Sequence, residues 1–324
     1  RVLPKNIRLS VAYSHSRTSR SQRTVNINAP LGGTFIPGLP NSGVRPLGNQ
    51  AGNIFEYQPT GRVVGNTLSF NVNGNLKKLS FWGGYNLNKT RNTDTGASGS
   101  PFDAYDFSHE YARTPFGSLN FAYGGGSFQG PHGINLNMFM FANSGRPFNI
   151  TTGRDTNGDT LFTERPAFAT DLNEPGVVIT PYGAFDPTPS PGQTIIPRNF
   201  GRGRAFISFN LGVSKTIKFG KAIEPKAPPP GGPGTTSANA PAPPTTTPGA
   251  TAKPPAKPPV QRPYSLTFSL NANNLFNRNN QGNPNGNMAS PFFLQSTAGV
   301  NIFFGPGGGS GGNRTITVRM RLSF

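Results

Sequence analysis

Between Thr315 and Phe324 the chain alternates without a single break. Ile316, Val318, Met320, Leu322 and Phe324 fall on one side, and Thr315, Thr317, Arg319, Arg321 and Ser323 fall on the other. A period of two is that of a β-strand with one apolar and one polar face. Such a strand is not stable alone and must join a sheet whose apolar rows meet something other than water. Residues 205–217 repeat the pattern, with Phe206 and Lys215 as exceptions, and residues 264–273 repeat it cleanly. Five weaker segments complete the set: residues 7–13, 64–72, 79–87, 116–123 and 134–142. The last is muddied by Phe139 and Phe141 on its polar row. The expectation is an all-β, antiparallel, up-and-down arrangement of about eight strands.

The connections carry the second constraint. Counted along the chain they are long (about 20–53), tight at Asn73-Gly74-Asn75, medium (93–109), Gly-rich and short (124–132), and very long (152–202). A Pro-rich insert (220–262) and another long loop (277–312) follow. Asn-Gly between alternating runs is a hairpin signal. Up-and-down strands put every second connection on the same rim, so one rim gathers the long loops and the other the turns. Transmembrane β-barrels have this asymmetry. Three regions follow: residues 1–219 with six strands and long external loops, a Pro-rich disordered insert at 220–262, and residues 263–324 with the last two strands and a Gly/Asn-rich external loop. The stretch 221–262 holds 13 of the 34 prolines and a net charge of +4, so it reads as a solvated tether on the periplasmic side.

A soluble sandwich also alternates, and charge placement separates the two cases. Eleven of the twelve acids lie at or beside the long-loop rim, while the polar rows are Asn, Ser, Thr and Gly with scattered Arg. A face open to bulk water mixes both signs; small neutral residues suit a water-bearing lumen. Lys215 intrudes on an apolar row. It stands about five residues from Gly220, close enough to snorkel toward the short-turn rim. Tyr13, Tyr85, Tyr123 and Tyr264 lie near row ends, where interfacial aromatic girdles are expected. The longest apolar run, residues 138–142, is far short of the roughly 20 residues of a transmembrane helix. The chain opens at Arg1, already in strand-like sequence, and reads as a processed chain or a fragment.

Other chemistry is sparse. With no cysteine there is no thiolate metal site and no thiol nucleophile, and His15, His109 and His132 lack metal-ligand or triad spacing, so no enzyme is expected. The net charge of +18 invites a nucleic-acid reading. In the strands, however, most bases and aromatics occupy opposite faces, and no nucleic-acid partner is expected. Asp155, Asn157 and Asp159 place side-chain oxygens at alternate positions around Gly158. The run reads as an Asx-rich turn or as a calcium loop that rigidifies an external segment, and both remain open; no other cofactor is indicated. Arg204, Arg319 and Arg321, with Lys218 and Lys78, fall on polar rows or near the short-turn rim, where they contact a plug, steer anions or solvate the lumen.

Two stretches carry a family resemblance. One is Ser144-Gly145-Arg146-Pro147-Phe148-Asn149-Ile150-Thr151-Thr152-Gly153-Arg154-Asp155-Thr156-Asn157-Gly158-Asp159, followed by Glu164-Arg165-Pro166. The other runs from Asn273-Asn274-Leu275-Phe276-Asn277 through Gly282-Asn283-Pro284-Asn285-Gly286, Ser290-Pro291-Phe292-Phe293 and Phe304-Gly305-Pro306 to the terminal Phe324. Both resemble Oar-like TonB-dependent outer-membrane receptors of the carboxypeptidase-regulatory-like domain-containing family, over roughly residues 110–324. The resemblance implies the C-terminal part of a barrel of about 22 strands in the outer membrane of a Gram-negative bacterium. It also implies outer-membrane lipid, the barrel-assembly machinery that reads a terminal aromatic such as Phe324, a plug domain, TonB and an external ligand as partners. The plug and TonB-contact parts are not in this sequence. A surface-structural or adhesive barrel without transport is the alternative.

Overall fold

The computed structural model describes residues 2–3, 6–39, 41–93, 100–115, 117–221, 262–299 and 312–324. Most of the Pro-rich insert, and the Phe304-Gly305-Pro306 stretch of the tail, lie outside them. Eight long strands are present: β1 (Ile7–Asn26), β2 (Phe55–Leu76), β3 (Leu79–Asn92), β4 (Asn120–Gln129), β5 (Ile134–Asn143), β6 (Phe206–Phe219), β7 (Tyr264–Asn273) and β8 (Thr315–Ser323). They pair antiparallel in chain order, and the short strands Val2–Leu3 and Ala112–Arg113 bring the sheet to ten. The sheet stays open. Among the described residues β8 pairs only with β7, and the far edge of β1 carries only Val2–Leu3.

Register decides what each face presents, because directly paired residues share a face. One row runs Leu76, Leu79, Phe128, Leu136, Val213, Leu270 and Val318 across seven strands. One residue away in register, and therefore on the other face, Asn75, Ser80, Ser127, Asn137, Gly212, Asn271 and Thr317 form the companion polar row. Eight separate alternations thus become a single apolar face and a single polar face. No second layer covers the apolar one: Val318 is 71% exposed and Met320 70%. The apolar residues of β3 span Leu79 to Leu87, about 26 Å along the strand at about 3.3 Å per residue, close to the height of a lipid-facing band. The polar face is concave and encloses a trough of about 450 Å³ that runs from Ser80 and Trp82 on β3 to Arg319 on β8.

The band ends where its side chains change. Tyr13 and Tyr85 lie on the apolar face at its outer margin, donating hydrogen bonds to Asn66 Oδ1 (2.8 Å) and Asn120 Oδ1 (2.6 Å). Beyond them the same face carries His15, Arg17, Arg62, Lys89 and Arg91. At the opposite margin Tyr264 stacks on Phe219 with centroids 5.5 Å apart. Lys215, exposed on the apolar face beside Phe268, is four residues from the end of β6.

Four expectations need correction. Asn73-Gly74-Asn75 is not a turn; the chain reverses at Lys77-Lys78, and Gly74 lies inside β2. A Cβ at Gly74 would fall 2.5 Å from Cζ of Phe81 on the neighbouring strand, so the glycine makes room for a ring rather than for a reversal. β1 and β2 run to 20 and 22 residues, far beyond the segments 7–13 and 64–72. Their outer halves are mostly Ser, Thr, Arg and Gln, with only Phe55, Tyr57 and Val25 standing apart near the ends, and alternation gives little signal there. β4 covers Asn120–Gln129 instead of 116–123, with glycines 124–126 in the strand and the reversal at residues 130–133. That shift puts Ala122 and Phe128 on the apolar face and moves Phe121 and Tyr123 onto the polar face, so Tyr123 belongs to no girdle.

Candidate functional site

The long connections meet at one rim and pack into a body of their own. Its apolar centre is Phe148, Ile150, Phe185 and Ile196, each 7% exposed or less, joined by Phe168, Tyr182, Phe200, Met288, Phe293 and Leu294. The two stretches that carry the family resemblance touch here. Thr151 and Asn287 form a parallel bridge, and the Met288 N–H donates to the Thr151 carbonyl (2.9 Å). Burial of rings and branched aliphatics at about 1.5–3 kcal/mol per side chain stabilises this hub as it would a water-soluble core.

Beside that core lies a buried charge cluster. Glu110, 1% exposed, receives Arg165 at 2.9 Å on Oε1 and faces Arg198 Nε at 3.4 Å on Oε2. Arg198 also donates to Asn92 Oδ1 (2.7 Å) at the end of β3, which ties the hub to the wall. Burial pulls the Arg165 guanidinium below its ordinary pKa, and the Glu110 carboxylate opposes that shift. Loop 27–54 joins through Arg45, which donates to the Gly158 carbonyl (2.7 Å), and through Asn53, which donates to the Asp159 carbonyl (2.6 Å).

The carboxylates of Asp155, Asp159 and Glu164 converge, each offering an oxygen within 4.8 Å of the others. Asn157, the fourth oxygen-bearing residue of the run, instead accepts the Asp159 N–H (2.9 Å) and donates to Asp159 Oδ2 (3.1 Å). Asp155 accepts the N–H groups of Gly158 (2.6 Å) and Thr160 (3.0 Å), and Glu164 Oε1 accepts that of Thr156 (2.8 Å). Glu164 Oε2 is buried with no hydrogen-bond partner among the described residues. Burial raises the pKa of both Asp159 and Glu164, and repulsion from the neighbouring carboxylates adds to it. Sequence spacing pointed to Asp155 and Asp159 but missed Glu164, because nothing local shows that the chain folds back.

The polar face holds the second group, which meets the trough at Trp82 and Phe139. Trp82, Tyr123, Phe121, Phe141 and Phe206 form a ladder of rings across β3, β4, β5 and β6, with successive centroids 5.9, 5.4, 4.9 and 5.7 Å apart and Phe139 against Trp82 at 6.0 Å. Gly125 lies under Trp82, where a Cβ would come to 3.0 Å from the indole. The signal for this ladder was Phe139, Phe141 and Phe206 standing off parity. Arg319 and Arg321 pair with Ser269 and Thr267 on the same polar face. Arg204 is not with them. It lies at the long-loop rim, just before β6, lining a cavity of about 320 Å³ with Gln281, Gln295 and Ser296. Lys78 is in the β2–β3 turn, Lys218 is on the polar face near the end of β6, and Phe324 is one residue past β8 and 95% exposed.

A family model described as an outer membrane beta barrel domain matches residues 1–224. No curated protein and no solved structure matches the chain.

Proposed function

The chain belongs to the outer membrane beta barrel domain family and resides in the outer membrane of Gram-negative bacteria, and from that premise we propose that it forms the C-terminal wall of a TonB-dependent receptor. In this reading the apolar face meets lipid, the trough meets a plug, and the hub at the external rim captures a ligand. The role is scaffolding and capture, with no catalysis. The observation that carries it is the open sheet: eight strands with an uncovered apolar face and a concave polar one leave edges for further strands and space for a plug. A barrel of about 22 strands is the size that encloses a plugged lumen. Arg319 and Arg321 then face the plug, Arg204 belongs to the ligand-facing loops, the insert 220–262 hangs in the periplasm, and Phe324 is read by the barrel-assembly machinery.

These 324 residues contain no cysteine, so single cysteines introduced here can be labelled in intact cells once any cysteine elsewhere in the receptor is replaced by serine. Val318→Cys, on the apolar face, should resist a membrane-impermeant maleimide. Ser269→Cys, on the polar face beside Arg319, should resist a bulky polyethylene-glycol maleimide until the plug is removed. Free labelling of Ser269→Cys in the intact protein would overturn the plugged receptor in favour of an open adhesive barrel. Rapid impermeant labelling of Val318→Cys would overturn the membrane wall itself.

A further inference from the structure

The three convergent carboxylates are an electrostatic problem that the hub leaves unsolved. Asp159 is 2% exposed and Glu164 3%. The guanidinium of Arg45 donates to the carbonyl of Gly158 and acts on Asp159 only through space, and no ion pair reaches Asp155, Asp159 or Glu164 among the described residues. The Thr156 N–H satisfies Oε1 of Glu164, yet Oε2 of this cluster residue is buried and has no hydrogen-bond partner among the described residues. A buried carboxylate oxygen without a donor pays its desolvation penalty uncompensated. It is therefore retained where something outside the chain completes it.

We propose that Asp155, Asp159 and Glu164 bind a calcium ion, with Glu164 Oε2 as the buried ligand. All donors in reach are oxygens, which selects a hard cation over zinc. Calcium accepts irregular sets of six to eight oxygens, whereas magnesium demands near-octahedral geometry and keeps its waters. This set is irregular, with three carboxylates from one ten-residue loop. The consequence is structural. Arg45 and Asn53 hold residues 158–159 to loop 27–54, and Arg165, next to Glu164, holds Glu110 of the third connection. An ion at this point fixes three external connections at once, and does so whether or not a plug fills the trough.

The test uses the full-length protein in detergent micelles, stripped with chelator and titrated calorimetrically with calcium chloride, with magnesium chloride as the comparison. One calcium per site should bind, and at free calcium one hundred times the dissociation constant amide exchange of residues 155–164 should slow by about 100-fold. Glu164→Gln should weaken binding by about tenfold or more, since ligand charge sets affinity in such sites. Should that variant misfold, Asp155→Asn at the less buried position reports the same loss. Absence of saturable calcium binding in the unmodified protein would overturn the proposal, as would unchanged affinity in both variants or equal binding of magnesium.

Discussion

The wall and the hub are built from one chain by opposite uses of apolar surface. In the wall the large apolar side chains are the exposed ones: Val11, Phe70, Met138, Leu270 and Val318 all point away from protein. In the hub Ile150, Phe185 and Ile196 are sealed completely, alongside Glu110 and Arg165. Water would not tolerate the first arrangement over so large a continuous face, since soluble chains rarely expose contiguous apolar patches beyond a few hundred Å². Hydrocarbon removes that penalty. The wall therefore takes its stabilisation from the bilayer and from the ladder hydrogen bonds between neighbouring strands, with its two edges left for further strands. The hub stands in water and needs a core, ion pairs and close packing of its own.

If that division is right, damage to one region should leave the other standing. The largest effect is expected from Glu110→Gln, which strands the Arg165 and Arg198 guanidinium groups in a dry site. Removing one partner of a buried pair typically costs about 3–5 kcal/mol. Loop proteolysis and hydrogen exchange should report a loosened hub while the strand signal in circular dichroism persists. Collapse of both together would mean that the hub is part of the wall's folding unit. Next comes Val318→Arg, an outward charge that costs about 2–4 kcal/mol at the bilayer midplane. Asn271→Arg, on the trough side of the adjacent strand, should stay within about 0.5 kcal/mol, as surface changes usually do. Urea titration of protein folded into vesicles compares them, and equal costs would remove the distinction between the faces.

The smallest effect is a matter of sign. Asp159 and Glu164 are held above their ordinary values of 3.8 and 4.5, so the folded hub binds their protons more tightly than the unfolded chain does. Without calcium, hub stability should therefore fall as pH rises from those ordinary values through the raised ones. Asp106, lowered by hydrogen bonds from Ser108, works in the opposite direction but is exposed and screened. Calcium should cancel or reverse the slope by favouring the ionised pair. Hydrogen exchange of chelated protein, followed across mild acid to neutral pH, reads this directly. Protection that grows with pH in the absence of calcium would contradict the burial of these two carboxylates.

Legibility in the sequence followed the range of the physics. Alternation is a property of residues i and i+2, and wherever one face meets lipid it shows: β8 and β7 were readable almost residue by residue. It failed where both faces are wet, in the outer halves of β1 and β2. It also failed where glycine had two explanations. Gly74 looks like a reversal because Asn-Gly usually is one, and only the Phe81 ring across the strand pair reveals the other reason. Glycines 124–126 misled in the same way, because Trp82, which needs the space above Gly125, lies more than forty residues earlier. In the candidate metal site the spaced pair Asp155 and Asp159 was visible. Glu164, brought back by the fold of the loop, was not.

The sequence by itself determined that this chain forms antiparallel strands with one apolar side, that long and short connections segregate to opposite rims, and that its acids gather at one of them. Those are consequences of backbone geometry and solvent, which act on each segment independently. Tertiary structure alone decided that the described sheet stays open, that rings form a ladder across the polar face, and that Glu110 meets Arg165 and Arg198. Pairings of that kind cost loop-closure entropy and are recovered only through burial, so they exist in no segment taken alone.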